Sequence, residues 1–467
     1  MSADIHLKTA HEIAAAVNAR SVSARAVTET AIAHVEATNA RLGAFTDPTF
    51  ARARAEADAV DAAVAAGKTL PLAGVPYAVK NLFDIAGVTT RAGSKINRDN
   101  PPAKVDAFLV RRMAAAGAVL TGSLNMGEYA YDFTGENAHD GASLNPHDVT
   151  RMSGGSSGGS GTAVAAGMVA AALGSDTNGS IRVPSSFCGL YGLKPTFGRL
   201  SRAGSFPFSA SLDHLGPIAR SALDLALLFD VLQADDPADA QQVKRPFLDT
   251  CSQLDKGVEG LRIAVAGGYF RKRGERQAFA AVDAVAAALG ATREVEIPEA
   301  ARARGSAYLI TTAESSALHL GRIRTRAADY DPDVRDRLIS GAFVPAAWVI
   351  QAQRFRAWFR AAMRKVFEEV DIILAPATPF PALKSGTKTV TLDGVTMPAR
   401  PNIGIFTQPI SFIGLPVVAV PVWLPGAGLP IGVQVIAPAW REDLALRLAR
   451  HLEITGAAKA PVAKGLG

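Results

Sequence analysis

Cysteine is scarce in this 467-residue chain: Cys188 and Cys251 are the only two. Two thiols build no disulfide framework, and neither belongs to a Cys-x-x-Cys pair. The eight histidines (His6, His11, His34, His139, His147, His214, His319 and His451) contain no His-x-His or His-x-x-x-His pair. The familiar local metal-ligand spacings are therefore missing, and no metal or other cofactor is expected. Long apolar runs are missing too. A membrane span needs roughly 18 apolar residues, and the best stretch, Ala163 to Leu173, is shorter and rich in alanine and glycine. Met1 to Lys8 shows no charged-then-apolar leader pattern, so a reducing cytoplasm is the expected setting. Nor is there a dense basic stripe. Lysine and arginine exceed aspartate and glutamate by only 49 to 43, and the one local cluster is Arg322, Arg324 and Arg326. A dedicated nucleic-acid binder carries a more concentrated patch.

What the chain has is apolar content, 48%, enough for a large core. Length alone argues for several domains, but the pattern of elements argues for one. Residues 1–70 read as helices: Thr9 and Glu12 form a capping box, a helical period runs from about Ser23, and Ala51 to Ala66 is dense in alanine. Short apolar runs then alternate with helices, as in Val75 to Val79, the helical Ala107 to Ala116, and Ala118 to Leu120. Residues 71–230 thus form a strand-and-helix core, 231–370 are mainly helical with one strand near Leu261 to Ala266, and 371–467 return to strands. Strands at both ends of the sequence predict one α/β domain, a mixed central sheet covered by helices on both faces. Thr162 to Ala172, all small residues, reads as a helix packed on that sheet.

The polar segment 139–160 ends in Ser153-Gly-Gly-Ser-Ser-Gly-Gly-Ser160, and Gly174-Ser-Asp-Thr-Asn-Gly-Ser-Ile-Arg182 follows closely. Glycine lets a backbone approach closely and aim its N–H groups at an oxygen. A serine becomes a nucleophile only when a base takes its proton. Lys80, in the apolar run Gly74-Val-Pro-Tyr-Ala-Val-Lys80, supplies that base if burial keeps it neutral. A phosphate-binding loop is a poor match, because no lysine closes the glycine-rich turn. Acyl transfer fits best.

These segments resemble the amidase signature family. The likeness lies in Gly154-Gly-Ser-Ser-Gly-Gly159, Asp176-Thr-Asn-Gly-Ser-Ile-Arg182, Cys188-Gly-Leu-Tyr-Gly-Leu-Lys-Pro195 and Gly74 to Lys80. It extends to Leu124-Asn-Met-Gly-Glu128, Phe406-Thr-Gln-Pro409 and Gly414-Leu-Pro416, and so to nearly the whole chain. The resemblance implies a Ser–cisSer–Lys triad with Lys80 as base, Ser156 as relay and Ser180 as nucleophile. It also implies an oxyanion hole from the N–H groups of Thr177, Asn178, Gly179 and Ser180, with Asp176 and Arg182 in support. Two positions depart from it: Asn178 stands where many members have glycine, and Ser160 where several have glutamate or alanine.

Thr134-Gly-Glu-Asn-Ala-His139 and Gly204 to His214 are most similar to the carboxybiuret hydrolase branch, a relative of the amidase-like chain of glutamyl-tRNA amidotransferase. That likeness implies a small-molecule amide substrate, a small helical accessory subunit, a homo- or hetero-oligomer, and no direct contact to nucleic acid or membrane. The alternatives it leaves are an amidotransferase subunit supplying ammonia and a different small-amide amidase. An anionic substrate needs a cation, for which Arg322 and Arg326 are candidates, with Tyr129 as a further substrate-binding candidate.

Overall fold

Short runs bounded by glycine and proline become strands in the computed structural model, which describes residues 5–465; the reading of the first four residues lies outside that range. The strands are β1 Phe45–Pro48, β2 Pro76–Lys80, β3 Val119–Leu124, β4 Leu144–Asn145, β5 Asp148–Met152, β6 Ala171–Asp176, β7 Tyr191–Lys194 and β8 His214–Ala219. They continue with β9 Ile263–Ala266, β10 Arg293–Val295, β11 Ile372–Pro376, β12 Thr389–Leu392, β13 Val395–Pro398, β14 Val417–Val422 and β15 Ile431–Ile436. Eleven of them form one sheet in the order β1-β3-β2-β6-β8-β7-β14-β15-β11-β9-β10. The sheet is mixed: β2 runs parallel to β3 and β6, whereas β8, β7, β14 and β15 pair antiparallel in succession. The late strands β14 and β15 sit in its middle, so the two ends of the chain do close one sheet.

Helices cover both faces, as the alternation of side chains shows. Ala171 and Leu173 share an apolar cluster with the helices Ala222–Leu232 and Glu442–Ile454, while Ala172 joins the helix Gly158–Ala165 on the other side. At the far end Ile372 and Leu374 cluster with the helix Arg276–Ala288, and Ile373 and Ala375 with Ala300–Arg326 and Ala346–Glu369. The fold is the expected α/β architecture. Among the described residues, no helix is long and apolar enough to cross a membrane.

Several elements differ from their sequence readings. The helical region 1–70 contains the strand β1, Phe45–Pro48, paired antiparallel with β3. The expected helix Thr162 to Ala172 starts earlier, at Gly158, and ends at Ala165; Gly167, at φ +72°, turns the chain and β6 begins at Ala171. Alanine favours a helix locally, but β6 is wholly buried between β2 and β8. A strand buried on both faces reads as a continuous run rather than an alternating one, which hid it. The same segment 139–160 contains the hairpin β4–β5, and β10 is a second strand in the mainly helical region.

Candidate active site

The site grows from the end of β2. Val79 pairs with Leu173 in parallel register, which sets Lys80 beside the last residues of β6. Its Nζ donates to Ser156 Oγ at 2.7 Å and to Ser175 Oγ at 2.8 Å. Ser156 follows a cis peptide bond from Gly155 at the mouth of the helix Gly158–Ala165. Space there demands glycine: a Cβ on Gly155 would lie 2.4 Å from Asp132 Oδ2. Lys80 is completely buried. Burial, only partly opposed by Asp213, Asp176 and Asp132, pulls its pKa from 10.5 down to about 7. An amine so placed is substantially neutral at neutral pH and able to accept a proton.

The second half of the site is the turn after β6. Arg182 grips Asp176 with Nε and Nη2, both at 2.9 Å, and its Nη1 donates to the carbonyl of Thr407 and to Gln434 Oε1. Both side chains are fully buried. Burial alone would push the Asp176 carboxyl up, but the adjacent guanidinium overcomes it and holds the group well below the usual carboxylate range. The pair therefore clamps residues 177–180 from both ends. Within the turn, Thr177 Oγ1 donates to Asp213 at 2.6 Å, and Thr407 Oγ1 donates to the carbonyl of Asn178 at 2.6 Å.

Buried backbone N–H groups are nearly always paired. Those of Thr177, Asn178, Gly179 and Ser180 donate to no protein group among the described residues, although the turn is buried. Four free, fixed donors can hold a developing oxyanion. Gly179 is required here: its φ is +145°, and a Cβ would sit 2.3 Å from Thr407 Oγ1. Gly179→Ala is expected to shift the turn and cut kcat at least ~10²-fold, the loss typical of one oxyanion donor, while the protein still folds. Comparing kcat with the thermal unfolding midpoint checks this; unchanged kcat would show that the turn does not act.

Ser180 lines a cavity with Asp132, Thr177, Asn178, Tyr308 and Arg337. Its hydroxyl makes no hydrogen bond to Ser156 among the described residues, so the structure joins Lys80 to Ser156 directly and presents Ser180 separately on the cavity wall.

The three residues expected to bind substrate are elsewhere. Tyr129 is buried, with its hydroxyl on Asn97 and its ring against His319. Arg322 also donates to Asn97, and Arg326 pairs with Asp99 and Asp329 on the surface. None lines the Ser180 cavity. The arginine that does is Arg337, whose guanidinium stacks on Tyr131 at 3.5 Å and whose Nε has no partner. Arg337 carries no local sequence signal, because the helix Pro332–Gly341 reaches the cavity only through the fold. Ser175 was also missed, although its place in β6 beside β2 follows once the two strands are paired. The departure at Ser160 is quiet: its hydroxyl donates to the carbonyl of Leu173 at 3.3 Å.

A family model described as Amidase matches residues 26–446. The chain belongs to the amidase signature family. It is 53% identical over 451 residues to AtzE, the 1-carboxybiuret hydrolase subunit of Pseudomonas sp. strain ADP, covering 96% of this chain and 98% of that one. It is 36% identical over 478 residues to the A chain of the glutamyl-tRNA(Gln) amidotransferase of Chromohalobacter salexigens, covering 96% of each. A solved structure described as a vestigial protein complex that reveals the evolutionary origins of an s-triazine catabolic enzyme superposes with a TM-score of 0.96 at 52% identity, covering 97% of this chain and 100% of that one. This amidase is thus a hydrolase of carboxamide C–N bonds.

Proposed function

We propose that this amidase hydrolyses a small carboxylated ureido amide of the 1-carboxybiuret type through an acyl-enzyme on Ser180. The observation that carries the reading is the buried Lys80 amine, bonded to Ser156 and brought to a pKa of about 7. Neutral Lys80 takes the proton of Ser156 as Ser156 takes that of Ser180, and Ser180 Oγ bonds to the carboxamide carbon. The carbonyl electrons move onto oxygen, which the N–H groups of residues 177–180 hold. The proton returns through Ser156 to the departing nitrogen; the C–N bond breaks and ammonia leaves. Water then attacks the ester by the same relay, restoring Ser180 and releasing the acid.

Arg337 is the cation suited to the substrate carboxylate, since it lines the cavity and has an unused donor. The chain's likeness to a subunit-type hydrolase favours a small accessory chain, and its two free thiols suit a reducing cytoplasm. The test is ammonia release from biuret-type amides, simple amides and glutamine, each with and without the small partner. Carboxylated ureido amides are expected to give the highest kcat/KM, and Arg337→Met to raise their KM by about tenfold or more, the scale of a charged hydrogen bond. Glutamine hydrolysis that depends on a tRNA-binding partner would instead make the chain an amidotransferase subunit.

A further inference from the structure

Two buried side-chain atoms on the wall of the Ser180 cavity have no hydrogen-bond partner: Arg337 Nε and Asn178 Oδ1. One is a donor and suits an anion. The other is an acceptor, and its surroundings fix it. Asn178 is 7% exposed, and its amide nitrogen donates to Thr311 Oγ1 at 2.9 Å. Its own carbonyl is held by Thr407 at 2.6 Å. With backbone and amide nitrogen both pinned, the side-chain oxygen cannot turn away to find another donor. A buried acceptor left unpaired is costly unless a ligand satisfies it.

Every primary carboxamide carries the departing –NH2, so an acceptor for that group selects nothing. A ureido substrate has a second nitrogen on the other side of the scissile carbonyl, where a simple amide has CH2. We propose that Asn178 Oδ1 accepts the N–H of that second nitrogen and so makes the site selective for ureido carboxylates over alkyl carboxamides. The inference rests on the Ser180 active-site reading and narrows it to a substrate class. A site built to bond an N–H rejects the analogue that lacks it, because its own buried group is then unpaired.

N-carbamoylglycine and succinamate test this, being alike in length, charge and terminal carboxamide and differing only by NH against CH2. Binding to the Ser180→Ala protein by calorimetry removes the difference in intrinsic reactivity between ureas and amides. N-carbamoylglycine is expected to bind about tenfold tighter than succinamate, the scale of one hydrogen bond. Adding Asn178→Gly should bring the two together by weakening N-carbamoylglycine alone. Thr311→Val, outside the turn, should narrow the gap by freeing the amide to rotate, which covers the case in which Asn178→Gly disorders the turn. An unchanged preference in both variants, equal loss of both ligands, or no binding of either would overturn the inference. Full turnover by Ser180→Ala would overturn the active-site reading itself, a separate result.

Discussion

Ser180→Ala is expected to lower kcat for amide hydrolysis by about 10⁶-fold, the scale of losing the nucleophile in subtilisin. The reason is covalent. The only other hydroxyl on the clamped turn, Thr177, donates to Asp213, and the nearby Ser156 and Ser175 are both bonded to Lys80. The change removes one oxygen from a buried position and disturbs no hydrogen bond among the described residues, so the fold should be unaffected. Arg337 and the cavity wall remain, so substrate should still bind. The measurement is single-turnover ammonia release alongside substrate binding: lost chemistry with retained affinity is the expected pair. Turnover within tenfold of the parent enzyme would place the nucleophile elsewhere.

Lys80→Met should cost about 10²–10⁴-fold in kcat, the usual reach of general-base catalysis, and should do so without unfolding the protein. Methionine is apolar and of similar length, and it removes an amine that burial destabilises in its charged form. The pH behaviour separates this role from a packing role. In the parent enzyme Lys80 loses its proton at about 7, so kcat/KM should rise with pH through that value and then level off. The variant should lack that limb.

Stability carries the same signature, and its sign is fixed. Between about 7 and 10.5 the unfolded lysine holds a proton that the folded one has lost. Lys80 should therefore add a contribution to stability that rises with pH across that window, and Lys80→Met should remove that contribution while the one from the buried Lys194 remains. A parent profile flat through pH 7, or an unchanged limb in the variant, would show that the base lies elsewhere.

Much of this site was legible in the residues because its groups are local. Lys80 ends an apolar run, and Ser156 and Ser180 stand in turns whose glycines have steric causes: Asp132 against Gly155, and Thr407 against Gly179. The Asp176–Arg182 clamp spans six positions and could be read as a braced turn. What escaped was non-local. Arg337 enters from a helix more than a hundred residues downstream, whereas the arginine cluster nearest a helical run, at Arg322 and Arg326, pairs with Asn97, Asp99 and Asp329. The strand β6 was read as helix because small residues suit both states, and only its burial between β2 and β8 decides.

The central claim is that the Lys80–Ser156 relay activates Ser180. Labelling with phenylmethanesulfonyl fluoride, followed by peptide mapping, tests it most directly. The label should fall on Ser180, at a rate that climbs with pH through about 7 and collapses in Lys80→Met and Ser156→Ala. A label on another residue, or labelling of Ser180 at an undiminished rate in those two variants, would contradict it.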